Sequence, residues 1–380
     1  MIGIPAFANV APEEHVRERG VYQYKPIEDD VSLDTKVAFL RRADAYPHPV
    51  DSVGTRETHM SWVFLTPERV YKLKKPVRFP YLDFSTLVQR EAACRAELRL
   101  NRELAPEIYL DVVPVTRQGT DLALGGEGAI VDWLVVMRRL DERQTMERAI
   151  IEKRVRREQL DQLATLLVHF YRRAPIARVT PGEYLAEWGR SMTYNFEILA
   201  APSLGLPAGQ LACIKSVQLR FLKQRAPVLA ERVRQHAIVD CHGDLRPEHI
   251  WLGEKVRIID RLEFNPGLRA VDPCDEIAFL TVECERLGAR WVGDYIRRRV
   301  LARLHYPASD DLMVFYRCCR ATLRARLAIA HLLEPNPRTP EKWPRVARAY
   351  LRIAAADAVW LERSLRRRAS PQARGRHRAA

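Results

Sequence analysis

The sequence predicts a bilobal α+β fold, with a small β-rich lobe followed by a larger, mainly helical one. Three observations predict it. Strand-like segments with one helix among them end near Leu140. Apolar residues then recur at helical spacing over most of the remaining chain. A short β-type island, from Ile238 to Asp260, interrupts those helices.

Residues 1 to 33 are polar and broken by Pro5, Pro12 and Pro26, which reads as a loosely held extension. Met1 to Val10 is apolar, but it lacks a basic flank and meets Glu13 and Glu14 at once, so no secretory signal is expected. Thr35 to Ala45 suits a short helix closed by Tyr46-Pro47-His48-Pro49. Ser61 to Leu65 and Val70 to Lys74 are β-branched and aromatic, and Thr66-Pro67-Glu68-Arg69 turns between them, which predicts a hairpin. A helix is expected from Ser85, as N-cap, to Leu104, with Pro106 just beyond. Further strands fall at Ile108 to Val115, Leu122 to Leu124 and Trp133 to Met137.

Beyond Leu140, helices are expected around Leu160 to Phe170 and at Gln218 to Gln235, Asp310 to Leu333 and Pro344 to Leu361. The island supplies strands Ile238 to Cys241, His249 to Leu252 and Val256 to Asp260. The expected organisation is an extension at 1–33, a first lobe at 34–140, a second at 141–362 and a basic disordered tail at 363–380.

The chain has 380 residues, 47% apolar and 29% charged, as soluble globular proteins do. No run of about 18 apolar residues occurs, so no membrane span is expected. The net charge is +14, but seven arginines and no acid between Arg363 and Ala380 supply half of it. The excess is therefore a property of the tail, and nucleic acid is not expected as a partner beyond weak tail contacts. Seven cysteines, an odd number with no C-x-x-C pair, argue against a disulfide framework or a zinc site and for a reducing cytoplasm.

The island carries the chemistry. His242 to Leu252 reads HGDLRPEHIWL, and Val256 to Asn265 reads VRIIDRLEFN. Phosphoryl transfer needs one carboxylate to orient or deprotonate the attacking hydroxyl and another to hold the metal that bridges the phosphates. Both need loops anchored by short buried strands. Asp244 suits the first role and Asp260 the second, and their 16-residue separation suits two loops joined by a hairpin.

These two stretches resemble the catalytic and metal-binding loops of the aminoglycoside phosphotransferase family, whose pattern is H-x-D-x-x-x-x-N followed by I-D. The chain is more closely similar to an uncharacterised bacterial branch of that family, on Glu57 to Leu65 (ETHMSWVFL), Tyr71 to Pro76 (YKLKKP) and Cys94 to Pro106, which precede HGDL in order. The likeness covers roughly two-thirds of the chain, from Tyr46 to Gly288. It implies a protein-kinase-like fold that uses ATP and Mg²⁺ to phosphorylate a hydroxyl of a small molecule.

The resemblance also implies roles. Asp244 would be the catalytic base, Asp260 the principal metal ligand and His242 a structural member of the loop. Lys72 would meet the α- and β-phosphates and Glu97 would orient it. Lys74 is a rival for Lys72, on the same face of its strand, and Glu91 is a rival for Glu97. Glu57 to Ser61 would turn over the phosphates, with hydroxyl and amide donors in place of glycines. Val135, Val136 and Met137 would meet adenine through backbone groups. Asp275 would support the catalytic loop by a hydrogen bond, and Arg269 would pair with a nearby carboxylate.

The sequence departs from the family at His249, where the pattern has Asn as a second metal ligand. An imidazole there binds the metal, favouring Mn²⁺, or contacts a phosphate, or marks a lost second metal position. Relatives in this branch often carry a C-terminal G-x-x-x-x-G-K-[ST] domain. No such motif occurs here, so the chain is expected to be the kinase-like domain alone. Two other readings stand beside the transferase. One is a degenerate kinase-like nucleotide binder. The other is a metallohydrolase built on His242, Asp244, His249 and Asp260, which leaves Lys72, Glu97 and the hairpin without a role. The acceptor is not encoded in the motifs, although Arg297 to Arg299, Arg320, Arg324 and Arg326 disfavour a polycation.

Overall fold

A computed structural model describes residues 31–333, 337 and 339–369. Most of the extension and the end of the basic tail lie outside them. The β-rich part begins with α1 (Leu33–Leu40), capped by Ser32, whose hydroxyl accepts from the Thr35 amide at 3.1 Å. The helix expected at Thr35 to Ala45 thus starts earlier, and its end is a separate 3-10 turn, Ala43–Ala45.

The strands follow: β1 (Gly54–Glu57), β2 (Ser61–Leu65), β3 (Arg69–Lys74) and a small hairpin of β4 (Arg78–Phe79) and β5 (Leu82–Asp83). Next come α2 (Leu87–Arg102), β6 (Tyr109–Gln118), β7 (Asp121–Leu124) and β8 (Ala129–Arg138). Six strands form one antiparallel sheet in the order β1-β2-β3-β8-β6-β7. Thr86, not Ser85, caps α2, in a capping box with Gln89.

The two-residue period of β3 divides its side chains. Tyr71 and Leu73 join Phe64, Leu134 and Val136 against Val37 and Leu40 of α1. Lys72 and Lys74 take the opposite face, where Val112, Trp133 and Val135 pack against Cys94 of α2. Asp132 ties both helices to the sheet, since it accepts from Lys36 of α1 at 2.8 Å and from Arg90 of α2 at 2.9 Å, all three fully buried.

The helical part comprises α3 (Met146–Ile151), α4 (Arg157–Arg173), α5 (Pro181–Leu199), α6 (Ala208–Gln224), α7 (Ala226–Arg234), α8 (Pro273–Arg286), α9 (Arg290–Leu301), α10 (Asp310–Ala330) and α11 (Lys342–Ala369). The single helix expected at Gln218 to Gln235 is two, because Pro227 fits only a first helical turn. The island lies between α7 and α8 as β9 (Val239–Asp240), β10 (Ile250–Leu252), β11 (Val256–Ile258) and β12 (Ala270–Val271). β10 pairs with β11, and β9 with β12. His249 belongs to a 3-10 turn, Pro247–His249, rather than to the strand expected to begin there.

α8 is buried at every position from Pro273 to Cys284, which makes it the central post of the large core. The expected tail is corrected at its start. Leu361 and Leu365 extend the buried stripe of Ala347, Tyr350, Leu351, Ala354 and Ala358, so α11 continues as helix through Ala369. Among the described residues, no helix is long and apolar enough to cross a membrane.

Candidate functional site

β3 and α2 face each other through charge. Glu97 is 1% exposed and splits its carboxylate: Oε1 accepts from Lys72 Nζ at 2.8 Å and Oε2 from Lys74 Nζ at 2.7 Å. The lysines then part. Lys72 donates onward to Asp260 Oδ1 at 3.1 Å, while the fully buried Lys74 donates to Glu263. Burial opposes charge on Lys72, but Asp260, Glu97 and Glu263 outweigh it and raise the ammonium well above its ordinary range. Burial also opposes the charge on Glu97, and both lysines hold its carboxyl below the usual range. Glu91 lies on the outer face of α2 and pairs with Arg95 at 2.8 Å, away from either lysine.

The loop after β9 is held from beneath by α8. Gly243 has φ +88°, and a Cβ there would lie 3.0 Å from Leu262 Cδ1 and 3.2 Å from the Leu268 oxygen, so the position needs glycine. Glu276 accepts from the His242 amide at 3.2 Å, the Gly243 amide at 2.6 Å and the Tyr171 hydroxyl at 2.8 Å. The supporting hydrogen bond expected from Asp275 is thus made by its neighbour. Asp275 instead takes a bidentate bond from Arg320 at 2.8 and 2.6 Å, because the helical turn aims it toward α10.

His242 is a fixed member of this loop. Its Nε2 donates to the Ile259 carbonyl at 2.9 Å, so Nδ1 accepts from the Asp244 amide at 3.3 Å. Burial, with His249 nearby, lowers its pKa to about 3, and the ring is neutral at physiological pH.

Arg246, 1% exposed, organises the segment that follows His242. Its Nε donates to Asp244 Oδ2 at 3.1 Å, Nη1 pairs with Glu248 Oε1 at 2.7 Å and Nη2 lies 3.2 Å from His249 Nε2. His249 Nδ1 donates to the Asp244 carbonyl at 2.9 Å, which leaves Nε2 as the acceptor for Arg246. The same Nε2 lies 3.5 Å from Asp260 Oδ2. Burial raises the Asp244 carboxyl above the ordinary range, against the pull of Arg246, His249 and Arg324.

Asp260 sits in the left-handed region, φ +62°, a strained conformation that its neighbours over-determine. The Ile259 amide donates to the His249 carbonyl at 2.9 Å, that of Asp260 to the Tyr109 hydroxyl at 2.9 Å and that of Arg261 to Asn101 Oδ1 at 2.8 Å. Burial alone would raise the Asp260 carboxyl, but the charge and hydrogen bond of Lys72 hold it well below the usual range. Its side chain keeps 25% of its surface exposed. An ionised, partly open carboxylate is a donor a hard cation accepts, and Mg²⁺ commonly takes one or two protein carboxylates with substrate phosphates. Among the described residues, no group of three His, Cys, Asp or Glu side chains is arranged to hold a metal by itself.

The other expected residues lie around this centre. Ser61 opens β2 opposite Lys74, and its amide donates to Thr58 Oγ1 at 2.9 Å, as the Met60 amide does at 3.3 Å. Thr58 thereby engages two amides of the turn expected to lie over phosphates. His59 of this turn stacks on His331, ring centroids 5.3 Å apart, and joins the sheet to the end of α10. Met137, one residue before the end of β8, pairs with Val70 on one side and Tyr109 on the other and packs against the cluster around Cys94 and Val135. Arg269 pairs with Asp240 at 2.6 Å and also donates to the Leu262 carbonyl at 2.8 Å.

Sequence reasoning missed Arg246, Glu248, Glu263 and Glu276. Charges inside HGDLRPEH and RLEFN were the available signal for the first three. Glu276 carried none, since the rotation of α8 decides whether it or Asp275 meets the loop.

No family model matches the chain. Uncharacterised proteins of Mycobacterium bovis and Mycobacterium tuberculosis are 31% identical over 319 residues, which is 82% of this chain and 59% of theirs. The chain therefore spans less than two-thirds of the length of these relatives. Its structural neighbours are aminoglycoside phosphotransferases and proteins of the choline/ethanolamine kinase family. A choline/ethanolamine kinase family protein of Mesorhizobium loti aligns with TM-score 0.48 and 15% identity, over 86% of this chain and 94% of its own. A choline kinase of Cryptosporidium parvum aligns with TM-score 0.49 and 10% identity, over 88% and 97%. An aminoglycoside phosphotransferase of Streptomyces rimosus, in complex with ADP and streptomycin, aligns with TM-score 0.40 and 18% identity, over 76% and 97%. None of these values carries a residue role to this chain.

Proposed function

We propose that this chain is an ATP-dependent phosphotransferase that moves the γ-phosphate to a hydroxyl of a small molecule. One observation carries the proposal: Lys72, Glu97, Asp260, His249 and Asp244, from a strand, a helix and two loops, form one connected series of contacts. Phosphoryl transfer asks a protein for this kind of positioned charge.

In this reading Lys72, oriented by Glu97, meets the α- and β-phosphates, whereas the backbone of Val135 to Met137, expected to meet adenine, is already paired with β3 on one side and β6 on the other. Asp244 accepts the proton of the acceptor hydroxyl, whose oxygen attacks the γ-phosphorus while the bond to the bridging oxygen breaks and ADP departs. A raised carboxyl suits that proton transfer better than an ordinary aspartate. Asp260 would hold Mg²⁺ together with the phosphates, and the ion would neutralise their charge. His242 keeps the loop in shape. The metallohydrolase reading loses a ligand, since both ring nitrogens of His242 are already hydrogen-bonded. The seven free cysteines support a reducing cytoplasm as the setting.

The test is Asp244→Asn. Acceptor-dependent ADP formation should fall about 10²- to 10⁴-fold while nucleotide binding persists. Full turnover by this variant would remove Asp244 from the mechanism. A nucleotide-binding protein without turnover is the second reading. Arg246 already engages Asp244 and His249, and Thr58 engages the turn amides, which favours it. ATP binding with no ADP formation from any acceptor would decide for it.

A further inference from the structure

One side chain of α2 grips the residue that follows Asp260. Asn101 is fully buried, and its carboxamide meets both backbone groups of Arg261. Oδ1 accepts from the Arg261 amide at 2.8 Å, and Nδ2 donates to the Arg261 carbonyl at 3.3 Å. Nδ2 also donates to the Glu97 carbonyl, one turn earlier in α2, at 3.0 Å. The position asks for asparagine: aspartate has no N–H for the two carbonyls, and glutamine is a methylene longer.

The Arg261 side chain, 1% exposed, is tied just as closely. Its Nε donates to the Cys241 carbonyl at 3.0 Å, Nη2 to the Asp240 carbonyl at 2.8 Å and Nη1 to Glu103, at the end of α2, at 2.8 Å. Asp260 itself is held by its amide, which donates at 2.9 Å to the hydroxyl of Tyr109, a buried residue that opens β6. Between these two grips Asp260 keeps φ +62°, a conformation that an aspartate retains only where its surroundings impose it.

α2 thus carries two contacts one turn apart. Glu97 binds Lys72 at 2.8 Å, and Asn101 binds the loop of Asp260. A single helix therefore fixes the spacing between the ammonium assigned to the phosphates and the carboxylate assigned to the divalent ion.

We propose that Asn101, aided by Tyr109, is a positioning residue that holds the Asp260 carboxylate in the orientation that receives a divalent ion. Neither residue touches the ion or the nucleotide; both act through the backbone of Asp260 and Arg261. This inference rests on the phosphotransferase reading above, in which Asp260 holds Mg²⁺.

The experiment measures the affinity for a fluorescent ATP analogue without a divalent ion and across a titration with MgCl₂, on the full chain as wild type, Asn101→Ala and Tyr109→Phe. Urea unfolding of each variant is followed alongside. Mg²⁺ should strengthen binding to the wild type. Asn101→Ala should raise the Mg²⁺ concentration that gives half of this effect about 10- to 100-fold, while affinity without the ion stays within about twofold. Tyr109→Phe keeps the ring and removes only one acceptor. It should move the midpoint in the same direction, by less.

An unchanged midpoint in Asn101→Ala would overturn this inference alone, and if that variant does not fold, an unchanged midpoint in Tyr109→Phe would do so. Equal loss of affinity with and without Mg²⁺ would make Asn101 a support of the fold only, and would overturn it as well. A wild type that does not bind the analogue, or whose binding ignores Mg²⁺, would overturn the phosphotransferase reading and the inference with it.

Discussion

Lys72 donates to Asp260 at 3.1 Å across 188 residues of sequence, while its second hydrogen bond goes to Glu97. The contact joins the sheet to the β10–β11 hairpin through two groups that charge holds strongly ionised. Lys72→Met removes the ammonium that would meet the phosphates. Nucleotide affinity should fall about tenfold or more, as titration with a fluorescent ATP analogue would read.

Lys74 answers differently. It is fully buried between Glu97 and Glu263, so Lys74→Met leaves two carboxylates facing each other without their shared cation. The cost should be about 3–5 kcal/mol of stability by urea unfolding. The folded fraction should keep its nucleotide affinity. Loss of affinity at unchanged stability would exchange the roles assigned to the two lysines.

Activity should fall on the acid side through Asp244. Burial raises its folded pKa, and a base must be deprotonated to act, so turnover is present above that pKa and lost as pH falls through it. The acidic limb of the rate profile should therefore lie above about 3.9, the ordinary aspartate value. Arg246 opposes the rise, so Arg246→Met should move the limb upward by about one pH unit or more. A limb that does not move would separate Arg246 from the base.

Glu276 should behave as a structural keystone. Glu276→Ala leaves the His242 and Gly243 amides and the Tyr171 hydroxyl without their acceptor. The loss should be about 3 kcal/mol or more, measured by unfolding. Asp275→Asn should leave the loop amides paired, and turnover with it.

Much of this arrangement was legible in the sequence because it follows short-range rules. The two-residue period put Lys72 and Lys74 on one face, and the His242-Gly243-Asp244 stretch with Asp260 sixteen residues on marked two loops and a hairpin. Glu97 was legible only through the family resemblance, on the helix expected from Ser85 to Leu104. Glu276 was not, because Asp275 and Glu276 are adjacent and only tertiary rotation of α8 separates them. The fork of Arg246 between Asp244 and Glu248 was likewise hidden, since a charged residue beside a catalytic motif is equally at home in solvent. Leu361 and Leu365 did carry the signal that α11 continues, four residues apart among arginines that read as a tail.

The most direct test of the central claim is thermal unfolding with ATP, with and without Mg²⁺ or Mn²⁺, on the wild type and Asp260→Ala. At about 100 times its dissociation constant a ligand stabilises the folded state by about 2.7 kcal/mol. The phosphotransferase account predicts stabilisation by ATP only with a divalent ion, and its loss in Asp260→Ala. No response to ATP, together with stabilisation by a transition metal alone, would contradict it.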